Sequence, residues 1–183
     1  DYDSYNVDLL LLEELGDYGS EIPSNVHIHV KSLKNTYGPF LKSLLTCVKV
    51  RDWFGLQMRV IFLLMKFGGQ RRISLAKKLL TKNQHYDYVI GFRPGICTQI
   101  AAFAVHAEGR ATWWHHGEIN VERQNYLECA EACDKVVAVS RACSKMLAHA
   151  FATMSNKLIV ILNMIHQSDI FQKAEEFCPY SRK

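Results

Sequence analysis

The stretch Tyr86-Asp87-Tyr88-Val89-Ile90-Gly91-Phe92-Arg93-Pro94-Gly95-Ile96 decides the fold. Tyr86–Ile90 is a short run rich in aromatic and β-branched residues, and Gly91, Pro94 and Gly95 punctuate the residues after it, so it reads as a strand leading into a turn. Beyond the turn the period changes: Ile96, Ile100, Phe103, Ala104 and Ala107 recur at helical spacing and form one stripe. The alternation then repeats. Ala111–Trp114 is a short strand ending in His115-His116-Gly117-Glu118, and a helix is expected from about Val121 to Cys133. Lys135–Val139 is the next strand. Ser140 is placed to N-cap a helix whose Cys143, Met146, Leu147, Ala150, Phe151 and Met154 share a face. Leu158–Leu162 is the last strand, followed by Asn163 and a helix opened by Ser168-Asp169. Three strand–helix units in succession imply right-handed crossovers and a parallel sheet flanked by helices, an α/β fold.

Toward the N-terminus, Val7–Leu12 is an apolar run with one acid, the pattern of a buried strand, and Val26-His27-Ile28-His29-Val30 alternates strictly. The period then becomes helical. Leu41, Leu44, Leu45 and Val48 fall on one face, and Leu56, Val60, Leu63, Leu64 and Phe67 continue the spacing after a break near Asp52–Gly55. Gly68-Gly69 ends this segment. Ile73, Ala76, Leu79 and Leu80 mark a further helix.

With 183 residues, 49% of them hydrophobic and 22% charged, the chain can bury a substantial core, and general disorder is excluded. The net charge of +4 is mild, but its distribution is uneven. From Lys42 to Lys82 there are ten basic residues (Lys42, Lys49, Arg51, Arg59, Lys66, Arg71, Arg72, Lys77, Lys78, Lys82) against one acid, Asp52. Such an excess suggests an anionic partner. Trp53, Phe54, Met58, Phe62 and Phe67 interleave with these charges, as in helices that lie on anionic lipid. The expected membrane contacts are therefore Lys49, Arg51, Trp53, Arg59, Lys66, Arg71 and Arg72. The plainer alternative is a set of solvated helix faces whose long side chains cover apolar neighbours. Nucleic acid is not expected, since no recognised binding motif accompanies the charge. The most apolar stretch, Trp53–Phe67, contains Arg59 and Lys66 and falls short of the ~20 residues of a spanning helix. The six cysteines are irregularly spaced and no signal peptide is recognisable, so they are expected to be reduced thiols of a cytoplasmic protein.

In parallel sheets, ligands bind beyond the carboxyl ends of the strands. That places Gly91–Gly95, His115–Glu118, Ser140-Arg141 and Asn163 at the candidate site. One histidine of the His115-His116 pair should pack inward while the other faces the crevice, where an imidazole can donate to phosphate or move a proton. Taken alone, the pair fits a structural role at a strand end at least as well. Gly91-Phe92-Arg93-Pro94-Gly95 can let the backbone approach an anion with Arg93 reaching it, but it matches neither a Walker A loop nor a G-x-G-x-x-G fingerprint. A metal held by Cys129, Cys133 and the histidines has no knuckle spacing behind it, and no metal or cofactor is expected.

Taken in order, these elements resemble the N-terminal domain of bacterial family-four glycosyltransferases, enzymes of two Rossmann-like domains (the GT-B architecture). The resemblance rests on Tyr86–Ile90 and on Trp114-His115-His116-Gly117-Glu118, similar to the family's Trp-x-His-x-acid strand end. It continues through Asp134–Ser140 and Lys157–Ile165, and it takes in Tyr5–Leu11 with Ile22–Val26 as the family's second strand and the approach to its third. It implies transfer of a sugar from a nucleotide-diphosphate donor to a saccharide or lipid-linked acceptor in cell-surface polysaccharide synthesis. It further implies a Rossmann-like acceptor-side domain over 1–165 and, over 166–183, a linker helix toward a donor-binding domain. His116 is then the catalytic residue, stabilising the departing diphosphate. Arg93, Gly117, Glu118, Ser140, Arg141 and Asn163 are the substrate-binding residues, and the basic helices are the contact with the inner face of the cell membrane. His166 departs from the family, which has Asp there. The family's first strand, Gly-rich loop and first helix would precede Asp1, so the resemblance implies a fragment cut from a longer enzyme and inactive alone. The alternative is a non-catalytic Rossmann-like module that binds a phosphorylated or membrane ligand through its basic face.

Overall fold

The computed structural model describes residues 4–14, 16–82, 84–115, 124–163 and 167–176. The chain falls into two compact units. An N-terminal unit comprises Asp1–His85 and Phe103–His106, and a sheet unit comprises Tyr86–Ala102 and Ala107–Lys183.

In the N-terminal unit the apolar run Val7–Leu11 forms β1 and the alternating run Val26–Val30 forms β2, paired in parallel from Val7 opposite Val26 to Leu11 opposite Val30. Three helices follow: α1 (Phe40–Lys49), α2 (Trp53–Phe67) and α3 (Gln70–Thr81). The break between α1 and α2 has a physical cause in Asp52. Its side chain accepts the Gly55 N–H at 2.7 Å, capping α2, and also takes a hydrogen bond from Asn35 Nδ2 at 2.9 Å. Gln57 Nε2 donates to the Leu79 carbonyl, tying α2 to α3. Leu33, Cys47, Met58, Ile61 and Ala76 are buried. The apolar faces read from the spacing do not all point inward. Leu41, Leu45 and Val48 of α1 and Val60, Leu63 and Phe67 of α2 are exposed, while α1 buries Ser43 and Cys47 and α2 buries Gly55, Met58 and Ile61.

In the sheet unit β3 (Tyr86–Gly91), β4 (Ala107–Trp114), β5 (Lys135–Ala138) and β6 (Leu158–Val160) form a parallel sheet in chain order. The linking helices are α4 (Ile96–Phe103), α5 (Gln124–Ala132) and α6 (Arg141–Ala150), with α7 (Gln167–Glu176) after β6. The parallel α/β, Rossmann-like architecture expected from Tyr86 onward is therefore present. A sheet that advances one strand at a time through right-handed crossovers puts its connecting helices on one face. The packing agrees: Trp114, Val136 and Ala138 of that face meet Ala130 of α5, Cys143 and Leu147 of α6, and Phe151 and Met154 beyond it. Trp114 is 1% exposed and makes edge-on ring contacts with Tyr126 and Phe151 at 5.5 and 5.7 Å. Lys157 Nζ closes the end of α5 by donating to the carbonyls of Glu131 and Cys133.

On the same face α4 lies directly on β3. A Cβ built on Gly91 would sit 2.9 Å from Thr98 Cα, so glycine alone permits this approach. The buried Thr98 hydroxyl donates to the Arg93 carbonyl at 3.0 Å and lies 2.8 Å from the Thr112 hydroxyl. Since the Thr98 proton is committed to Arg93, Thr112 is the donor of that pair. No helix among the described residues is long and apolar enough to cross a membrane.

Replacing Gly91 with Ala should destabilise the chain by about 1–3 kcal/mol, the usual cost of overpacking, because the blocking atoms belong to the α4 backbone and cannot rotate away. Urea unfolding followed by circular dichroism measures this, and an unchanged midpoint would contradict the close contact.

Candidate functional site

Four segments leave the carboxyl edge of the sheet. They are Phe92–Gly95 after β3, His115 after β4, Ser140-Arg141 after β5 and Asn163 beyond β6. Strand register makes them neighbours in that order, since Gly91 pairs with Thr112, Trp114 with Ala138, and Ala138 with Val160.

The first two segments are joined directly. His115 Nε2 is 2.9 Å from the Phe92 carbonyl. A carbonyl can only accept, so Nε2 carries the proton and Nδ1 is left as the acceptor side of the neutral ring. The Phe92 ring packs on His115 at 4.9 Å and on Trp113 at 5.7 Å. His115 is therefore exposed but fixed. The Arg93 backbone is held by Thr98, and its guanidinium is exposed at the entrance to α4.

Ser140 does cap α6: its Oγ accepts the Cys143 N–H at 3.1 Å, which leaves the hydroxyl proton free to donate outward. Arg141, the first residue of α6, and Asn163 are exposed. Neither α4 nor α6 has an acid in its first turn. Two helix N-termini, each with an arginine beside it, give this edge a positive field suited to phosphate. His116, Gly117 and Glu118 lie outside the described residues.

Two features of the rim have no sequence motif. The Trp114 Nε1–H is buried and finds no acceptor among the described residues. The Tyr126 hydroxyl lies 3.8 Å from where a Cβ on Gly95 would stand, which brings α5 up to the entrance of α4. Helical spacing could flag Tyr126 as core, but nothing in the sequence says that its hydroxyl reaches the rim.

The residues considered for a metal are disposed otherwise. Cys129 and Cys133 are buried, and burial pushes their thiols up to about 12 and about 11, which keeps them protonated and poor ligands. In the N-terminal unit Asp8 Oδ1 lies 3.2 Å from His27 Nδ1 and 3.8 Å from His29 Nε2. No group of three metal-ligating residues able to hold an ion occurs among the described residues.

Of the expected membrane contacts, Lys49, Arg51, Trp53, Lys66, Arg71 and Arg72 are exposed. Arg59 is half-buried, stacked over Phe40 at 5.0 Å and donating to the Gly38 carbonyl at 3.4 Å. Arg72 donates to the Phe67 carbonyl at 3.1 Å and lies over its ring, closing the end of α2. These two arginines serve the fold, while the other cations stand open to solvent.

The chain matches no family model, and no curated protein matches it significantly. The class that the fold defines is the parallel, Rossmann-like α/β class, with its candidate site on the carboxyl edge of the sheet.

This geometry sets two outcomes. Ser140→Ala should cost about 1 kcal/mol, a typical N-cap loss, read as a lower urea midpoint. Cys129 and Cys133 ionise later in the folded chain than in the unfolded one, so the stability they supply is complete below the ordinary thiol value of 9.0. It is lost as pH rises from there through the folded values. The urea midpoint should fall above that pH, and the fall should be smaller in the Cys129→Ala/Cys133→Ala variant; an equal fall in both would remove the thiols as its cause.

Proposed function

We propose that the chain is the acceptor-side half of a glycosyltransferase, serving transfer of a sugar from a nucleotide-diphosphate donor to a saccharide or lipid-linked acceptor at a cytoplasmic membrane face. The observation that carries this reading is the rim itself. The exposed Arg93 and Arg141 stand at the N-termini of α4 and α6, with the fixed His115 ring between their strands. Diphosphate is the group such an edge suits, because guanidinium forks and helix N-termini both favour phosphoryl oxygens.

In the transfer, the bond from the sugar's anomeric carbon to the diphosphate oxygen breaks and a bond to the acceptor hydroxyl oxygen forms. The acceptor's proton passes to an oxygen of the leaving diphosphate, on which negative charge grows. Donors aimed at that charge lower the barrier. His116 is assigned this role by its place in the Trp-x-His-x-acid pattern, with Gly117 and Glu118 beside it. Arg93, Ser140, Arg141 and Asn163 hold substrate along the rim. The donor nucleotide itself would be gripped mainly by a second domain.

Arg93→Ala and Arg141→Ala should each weaken binding of a nucleoside diphosphate sugar by roughly tenfold or more, the loss of a hydrogen bond to a charged group. Isothermal titration measures it, and unaltered affinity in both variants would remove the rim as the phosphate site. Transfer itself, followed with a radiolabelled donor and a lipid-linked acceptor in a protein that joins this chain to its donor-binding domain, separates the enzyme from a non-catalytic phosphate-binding module. His116→Ala should lower transfer with binding intact, and unchanged transfer would cancel its catalytic assignment.

A further inference from the structure

We infer that the N-terminal unit docks on an anionic lipid bilayer by inserting the outward apolar stripes of α1 and α2, with the surrounding lysines and arginines at the headgroups. This specifies the surface behind the membrane location proposed above. It rests on that location but not on sugar transfer.

Helices that pack on a core turn their apolar stripe inward. Here α1 turns Leu41, Leu45 and Val48 outward, and α2, although it buries Met58 and Ile61, keeps further apolar residues outside. On α1 the small residues Ser43 and Cys47 are buried, while Leu41 and Leu45 are 71% and 69% exposed and Val48 joins them one turn on. On α2 the buried residues are Gly55, Met58 and Ile61. Trp53, Val60 and Phe67, at seven-residue spacing, face solvent, with Trp53 74% exposed. A Cβ on Gly55 would stand 2.9 Å from Cys47 Sγ, so α1 and α2 approach through their smallest residues.

Charge decides what covers this face. Lys42, Lys49, Arg51 and Lys66 are exposed on the same two helices and the turn between them. The acid that could offset them, Asp52, is turned inward, with one carboxylate oxygen on the Gly55 N–H and the other on Asn35 Nδ2. The outward face is therefore apolar and cationic at once, the composition of an interfacial helix. Neither helix can cross a bilayer, so each lies in its plane. A protein partner would have to present an apolar and strongly acidic surface together, whereas an anionic bilayer supplies acyl chains and negative headgroups side by side.

The test is co-sedimentation of the 183-residue chain with vesicles of phosphatidylglycerol mixed into phosphatidylcholine, and of phosphatidylcholine alone. Binding should require the anionic lipid and should blue-shift a tryptophan emission component that Trp53→Phe removes. Leu41→Gln with Leu45→Gln should weaken partitioning about tenfold or more, since leucine insertion supplies the apolar part. Lys42→Gln and Lys66→Gln should weaken it roughly fivefold each. All four side chains are exposed, so thermal melts should match the parent chain and exclude misfolding. No binding to the mixed vesicles, binding indifferent to the leucine pair, or burial of Trp53 by self-association without lipid would each overturn the proposal. A chain that binds vesicles yet transfers no sugar leaves the docking surface standing, and the reverse result leaves the transferase reading standing without it.

Discussion

The rim of the sheet unit depends on a missing methyl group. With no Cβ at Gly91, the α4 backbone can lie against β3, and that proximity lets the Thr98 hydroxyl reach both Thr112 and the Arg93 carbonyl. Buried hydroxyls are costly unless bonded, so the arrangement is held from both sides. Thr112 donates to Thr98, Thr98 donates to Arg93, and the loop after β3 is pinned at its centre. Pinning Arg93 also sets the position of the Phe92 carbonyl, which is where His115 Nε2 meets it. The position of the histidine ring, the exposure of Arg93 and the packing of Phe92 on Trp113 thus share one steric origin.

Much of the fold is legible in the sequence because element boundaries there are written in local chemistry. Asp52 interrupts a long apolar run by capping α2, Ser140 opens α6, and Gly68-Gly69 separates α2 from α3. Periodicity, however, reports which residues share a helix face and not which way the face points. For α6 the inference of an inward face is right for Cys143 and Leu147, because Trp114 and Ala138 lie opposite, yet Met146 of the same stripe is exposed. For α1, Leu41, Leu45 and Val48 of the stripe point away and Leu44 is half-buried, while Ser43 and Cys47 are buried, with Cys47 Sγ 2.9 Å from where a Cβ on Gly55 of α2 would stand. That outcome depends on a neighbouring helix and cannot be read from α1.

The candidate site divides similarly. Its location follows from topology, since loops after parallel strands gather at one edge, and Arg93, Ser140, Arg141 and Asn163 are found there. Its internal bonds do not follow. Of the two adjacent histidines, His115 is the one seen to be fixed, by a backbone carbonyl that any residue at position 92 would supply. A main-chain acceptor leaves no trace in side-chain identity. The same holds for the Tyr126 hydroxyl near Gly95, which depends on how α5 packs against Trp114.

Both units bury some large apolar side chains and expose others, and the exposed ones have an energetic consequence. In the sheet unit Trp114, Leu147 and Phe151 are driven into one cluster, each such side chain contributing about 1.5–3 kcal/mol of burial. In the N-terminal unit Leu41, Leu45 and Trp53 contribute little of this while exposed. Domain stability is a small residue of large opposing terms, about 5–15 kcal/mol, so leaving several large apolar side chains in water forgoes a substantial part of it. A ligand that covers the α1–α2 stripe and prefers the folded unit to the unfolded chain is linked to the unit's stability. It must therefore stabilise the unit by mass action, in proportion to how far its concentration exceeds its dissociation constant. Occupancy of that face and the stability of the helices presenting it are then a single coupled equilibrium.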